Sequence, residues 1–139
     1  MGQQITTGMT IALKGDLGTG KTTFVQGLAK GLGIPENYYI TSPTFTIINE
    51  YNTANLTLCH LDLYRLGSTE ELDYIGFEDL LDSRHVIVVE WPGLLEANHF
   101  SFDLEIRFTL NEQFHRHFEL CPSNETAVNL LNRLPGCRD

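Results

Sequence analysis

The stretch Gly15-Asp16-Leu17-Gly18-Thr19-Gly20-Lys21-Thr22 constrains this chain more than any other, because it fits the phosphate-binding pattern GxxxxGK[ST] at every defined position. Glycines at 15, 18 and 20 allow backbone angles closed to other residues, so successive N–H groups can turn inward around phosphate oxygens. Lys21 adds a point charge for the β and γ phosphates, and Thr22 offers a hydroxyl to Mg²⁺. The pattern needs a strand before it and a helix after it. Met9-Thr10-Ile11-Ala12-Leu13-Lys14 reads as a short buried strand. Behind the loop, Phe24, Val25, Leu28, Ala29 and Leu32 recur at helical spacing until Gly33 and Pro35 stop the helix. A helix opening at Lys21 aims its positive end at the same anion. These features predict an α/β fold with phosphate bound after the first strand.

The rest of the chain supplies further strands. The stretch Ile40 to Tyr51 changes from a polar, proline-containing bend to a β-rich run, and a second run follows from Leu56 to Leu63. Asn52 and Asn55 suit the turn of a hairpin between them. In the second strand His60, Asp62 and Tyr64 fall on one face, Leu61 and Leu63 on the other. Ser68 to Glu71 reads as a capping box, opening a helix that carries Leu72 and Ile75, pauses at Gly76 and resumes through Phe77 and Leu80. His85 to Glu90 holds four consecutive β-branched aliphatics and ends in a carboxylate. That is a strand buried on both faces, with Glu90 at the C-terminal edge where open α/β sheets place ligands. Pro92 to Ser101 reads as irregular or weakly helical. Asp103–Leu110 and His115–Leu120 alternate as an edge hairpin with one wet face, and Asn124–Arg133 as a closing helix.

A phosphate loop alone binds; turnover also needs a metal-holding carboxylate and a group that places the nucleophile. Glu90 has the setting of a Walker B acid. Asp62 is the second candidate, or else a structural partner of Arg65 or His60. Thr44 sits in the bend where switch loops contact Mg²⁺ and the γ phosphate. Trp91 either packs over a nucleotide or is a plain core residue. At 139 residues the chain, 1–139, reads as one domain, with 134–139 as a loose tail. A net charge of −9, with no run of arginines, disfavours a direct grip on nucleic acid. Cys59, Cys121 and Cys137 form no CxxC pair, so a disulfide framework and a zinc site are both unsupported. No stretch is long and apolar enough to span a membrane, which favours a cytoplasmic protein.

Taken together, GDLGTGKTTF at Gly15–Phe24, SPTF at Ser42–Phe45, HLDLYRL at His60–Leu66, EEL followed by GFED at Glu70–Asp79, and EWP at Glu90–Pro92 strongly resemble the bacterial TsaE family, formerly YjeE. The resemblance implies a P-loop NTPase with a mixed central sheet flanked by helices and carrying antiparallel hairpins. It implies weak ATP hydrolysis in tRNA threonylcarbamoyladenosine (t6A) biosynthesis, stimulated by the partners TsaB and TsaD, with tRNA reached only through that complex. Carried over by position, Gly15, Asp16, Leu17, Gly18, Thr19, Gly20, Lys21, Thr22 and Thr23 hold ATP, and Thr22 with Glu90 holds Mg²⁺. Lys21, Asp62 and Glu90 are the catalytic set; Ser42 and Thr44 form a switch-like loop, and Trp91 lies beside the site.

Three features depart from the family pattern. Thr19 stands for the usual alanine, Gly93 for the acidic residue that commonly follows EWP, and only a polar lead, Met1–Gly8, replaces the usual leading helix, so a wall of the adenine pocket is affected. Two rival readings of the site stand beside this one. A small-molecule kinase shares the loop but adds lid arginines, for which only Arg107 and Arg116 are on offer. A non-hydrolysing interaction module would use bound nucleotide only as a conformational signal.

Overall fold

The computed structural model describes residues 1–136, so Cys137 and the end of the expected 134–139 tail lie outside the described residues. Strands β1 (Met9–Lys14), β2 (Ile48–Asn52), β3 (Thr57–Asp62), β4 (His85–Glu90), β5 (Leu104–Leu110) and β6 (Arg116–Pro122) form one sheet in the order β2-β3-β4-β1-β5-β6. The four middle strands run parallel, while β2 and β6 close the edges antiparallel. β1 and β4, the continuous apolar runs, take the centre because both their faces must be covered. Helices α1 (Lys21–Leu32), α2 (Thr69–Tyr74), α3 (Gly93–Ala97) and α4 (Glu125–Asn132) provide the cover.

Strand alternation splits the core in two. Ile11, Leu13, Val86, Val88 and Ile106 pack with Val25 and Leu28 of α1 and Leu130 of α4. The intervening Ala12, Cys59, Leu61, Ile87 and Val89 face the other way, against Leu72, Phe77, Leu95 and Phe102. Each large aliphatic so buried stabilises the fold by about 1.5–3 kcal/mol. The same period of two puts Asp62 in line with Leu58, and Glu90 in line with Val86 and Val88, on the α1 face. Both carboxylates therefore end their strands on the side where α1 begins.

The hairpins, the Asp103–Leu110 strand and the closing helix stand where the sequence puts them, α4 with Asn124 accepting from the Ala127 amide at 3.0 Å. Three details differ. Residues after Pro43 curl before β2 starts at Ile48, because the Ile47 amide turns back to the Pro43 carbonyl at 2.7 Å and Ile47 takes a φ of +71°. Ser68 stands at the extended N-cap position of α2 but makes no side-chain capping bond, so the capping box does not close. The polar lead contains a 3-10 turn, Gly2–Gln4, whose Gly2 backbone is pressed onto Gly31 of α1; a Cβ on Gly31 would come within 2.8 Å of the Gly2 Cα.

Candidate functional site

The loop between β1 and α1 is shaped by its own hydrogen bonds and by close packing against β5. Gly15 takes a φ of +155°, and a Cβ there would meet the Phe108 carbonyl at 2.7 Å, so the first loop position admits only glycine. Thr19 is buried, and its hydroxyl donates to the Asp16 carbonyl at 2.8 Å. The departure from the family's alanine thus adds a bond inside the loop. Gly20, at φ +104°, is the N-cap of α1 and offers no side-chain cap, and the first turn contains no acidic residue. The N–H groups at that end are left for an anion.

Lys21 points back into the loop. Its Nζ donates to the Gly15 carbonyl at 2.6 Å and lies 3.8 Å over the Trp91 ring. Trp91 holds a φ of +57°, a rare angle for a side chain of that size, and Tyr64 stacks beside it at 5.2 Å between centroids. Burial lowers the Lys21 ammonium from its ordinary pKa, against the upward pull of Glu90, Asp62 and Asp16.

Parallel pairing sets Asp62 opposite Glu90. Both are almost fully buried, at 4% and 3% exposure. Asp62 accepts from Ser42 Oγ at 2.8 Å, Thr44 Oγ1 at 3.3 Å and the Tyr64 amide at 2.9 Å. The bend after α1 is thereby latched onto the end of β3, and Arg65 stacked 4.3 Å over Phe45 gives it a second hold. The alternative sequence reading of Asp62, as a partner to His60, is not what forms. His60 Nε2 instead meets Glu90 Oε2 at 2.5 Å.

A cleft of about 560 Å³, ordinary for a small-molecule site, brings these parts together. Leu17, Gly18, Gly20, Lys21, Thr22, Thr23, Ser42, Thr44, Asp62, Glu90 and Trp91 all line it. Gly15 and Asp16 sit behind Trp91 around a neighbouring hollow, and Thr19 is folded into the loop. Two more residues line it: Tyr64, which was not a sequence candidate, and Arg116, which the sequence offered only as a lid arginine of the kinase reading. Tyr64 shares the face of Asp62, a signal the alternation already contained. Arg116 comes from the far edge strand, and its Nε would lie 3.5 Å from a Cβ on Gly20. Only the sheet order, which places β5 beside β1 and β6 beyond it, brings it there.

The donor set fits Mg²⁺ and a nucleotide. Hydroxyl and carboxylate oxygens suit a hard cation, which proteins commonly hold through one or two carboxylates while substrate phosphates complete the shell. No cluster of three or more His, Cys, Asp or Glu that could hold a metal occurs among the described residues. Lys21 and the open end of α1 suit the phosphates.

Sheet, loop and cleft define a P-loop NTPase fold. A family model described as threonylcarbamoyl adenosine biosynthesis protein TsaE matches residues 1–118. The chain belongs to the TsaE family. It is 40% identical over 134 residues to the tRNA threonylcarbamoyladenosine biosynthesis protein TsaE of a Nostoc species, covering 94% of this chain and 81% of that relative. With the TsaE of Borreliella burgdorferi it shares 46% over 88 residues, 63% of this chain and 62% of the relative. With that of Bacillus subtilis it shares 46% over 89 residues, but that match spans only 54% of the relative. A crystal structure of Bacillus subtilis YdiB superposes with a TM-score of 0.68 at 31% identity, over 94% of this chain and 80% of that one. No helix among the described residues is long and apolar enough to cross a membrane.

Proposed function

We propose that this chain is, as a single domain, the Mg²⁺-dependent ATP-binding and ATP-hydrolysing subunit of the tRNA t6A37 modification machinery. It works in the cytoplasm with TsaB and TsaD. The observation that carries the reading is one cleft in which Lys21 and Thr22 of the phosphate loop face two buried carboxylates from adjacent parallel strands. Thr22 and Glu90 hold Mg²⁺. Held there, the ion would supply charge neutralisation at the phosphate oxygens. Lys21 leaves the Gly15 carbonyl for the β and γ phosphates, while loop N–H groups from Gly15 to Thr23 cradle them. Asp62 orients the attacking water or the metal's outer ligands, and its bonds to Ser42 and Thr44 make their loop responsive to what fills the cleft. Trp91 closes the side of Lys21 away from the loop. The charge of −9 supports contact with tRNA through partners rather than directly.

Phosphate release from Mg·ATP tests the reading, with the chain alone and with TsaB and TsaD. Stimulation by the pair that vanishes in Lys21→Ala is the expected result. Tight ATP binding without any effect of the partners refutes the t6A role and moves the kinase and signal-module readings ahead.

A further inference from the structure

His60 has no place in the roles above, yet it is fully buried and directly touches a residue that does. It lies on β3 two positions before Asp62, level with Val88 of β4 and Asn49 of β2. Its Nε2 is 2.5 Å from Glu90 Oε2, with side-chain exposures of 0% and 4%. Its other ring nitrogen, Nδ1, is buried without a protein hydrogen-bond partner. An unpartnered ring nitrogen in a dry sheet costs free energy, and more so if it carries a proton that it must donate. The arrangement therefore selects the ring with its proton on Nε2, donated to Glu90. Glu90 Oε1 takes part in no protein hydrogen bond among the described residues, and Glu90 lines the cleft.

We infer that His60 is a positioning residue: it fixes the Glu90 carboxylate through one oxygen and leaves the other for the cleft. A glutamate has three side-chain torsions and, at the end of a strand, two directions in which to turn. One short buried bond removes most of that freedom before any ligand arrives. This is the outer-shell role that partners of metal-binding carboxylates and histidines play, where loss typically costs about 10–100-fold in metal affinity or activity. The inference rests on the reading of Glu90 as a metal-holding residue.

Two variants of the same chemistry and different reach provide the test. In His60→Gln the amide nitrogen can occupy the place of Nε2, whereas in His60→Asn it reaches only the place of Nδ1. The readouts are the affinity of a fluorescent ATP analogue with Mg²⁺ and with EDTA, and kcat against KM for ATP hydrolysis. His60→Asn is expected to lose about tenfold or more of the gain in affinity that Mg²⁺ confers, and to lower kcat with little change in KM. His60→Gln is expected to stay within a few-fold of the parent. Equal losses in both variants, tracking a fall in thermal stability, would reduce His60 to core packing and overturn the inference; so would two variants that match the parent. Should either variant fail to fold, ¹⁵N correlation spectra of the unaltered protein decide the matter, because a proton on Nδ1 rather than Nε2 refutes it. Glu90→Gln keeps the two ideas apart. If that variant leaves the Mg²⁺ effect intact, the reading of Glu90 fails, whatever His60 does.

Discussion

Replacing Asp62 by alanine removes the acceptor that Ser42, Thr44 and the Tyr64 amide share. A hydrogen bond to a charged group nets about 1.5–3 kcal/mol, so the two bonds of 2.9 Å or less are together worth about 3–6 kcal/mol. The 3.3 Å contact to Thr44 adds little. Two effects reduce the total. The half-buried Ser42 and Thr44 turn to water once released, and the variant no longer buries a carboxylate at 4% exposure. The expected net cost is about 2 kcal/mol, and it falls mainly on the segment from Ser42 to Ile47. The backbone bond from the Asp62 amide to the Ile47 carbonyl survives and keeps β2 in register. Urea denaturation gives the global cost and hydrogen exchange gives its location. A double-mutant cycle with Ser42→Ala isolates the pair, with an expected coupling of at least about 1 kcal/mol. Coupling indistinguishable from zero, with loop amides as protected as before, would show that the latch does not hold the loop. In the same variant, ATP affinity retained with hydrolysis lost supports turnover at this site over a purely signalling use of nucleotide.

Three further outcomes are expected. Gly27 sits exposed inside α1 with nothing within 4 Å of a would-be Cβ, so Gly27→Ala should raise stability by about 1 kcal/mol in urea titration; Gly31→Ala, with the same helical gain, should lower it by about 1–3 kcal/mol because the Gly2 backbone stands in the way. Arg116→Ala should weaken a fluorescent ATP analogue about fivefold at low ionic strength and less at high salt, since an exposed cation contributes about 1 kcal/mol and is screened; equal affinities at low salt refute a phosphate contact. Burial, reinforced by Glu50 and Asp82, pushes the Cys59 thiol up to about 12. At pH 8 its alkylation, followed by peptide mass spectrometry, should therefore track unfolding, and rapid labelling of the folded protein would contradict that.

The phosphate loop was legible because its function depends on local backbone geometry, which glycine spacing encodes directly. The strand carrying Glu90 was equally plain, since four aliphatics in a row can be buried on both sides only at the centre of a sheet. What escaped the sequence is what depends on elements meeting at a distance. Arg116 looks like any outward residue of an edge hairpin until β5 pairs with β1 and swings it to Gly20. The bend from Ser42 to Ile47 has the composition of a strand entry, but the return of the Ile47 amide to the Pro43 carbonyl and the Ser42 bond to Asp62 outweigh that propensity. The sequence offers His60 only as a partner of Asp62, and it is the register of β3 against β4 that sets it against Glu90 instead. Ser68 shows the reverse: the local signal for a side-chain cap is complete, and no such cap forms.

Pairing Leu13 with Glu90, and Asp62 with Glu90, places the ends of β1, β4 and β3 at one level of the sheet. In the order of synthesis, however, these ends are far apart. The loop and α1 leave the ribosome first, Asp62 follows a hairpin later, and Glu90 comes only after α2 has passed. At about 5–20 residues per second the gap lasts several seconds, during which the nascent chain carries the phosphate-loop residues but neither Glu90 nor Phe108, whose carbonyl Gly15 is fitted against in the finished fold. Completing the acidic side must wait until β4 slots between two strands made before it, so a full site certifies that the centre of the sheet has closed.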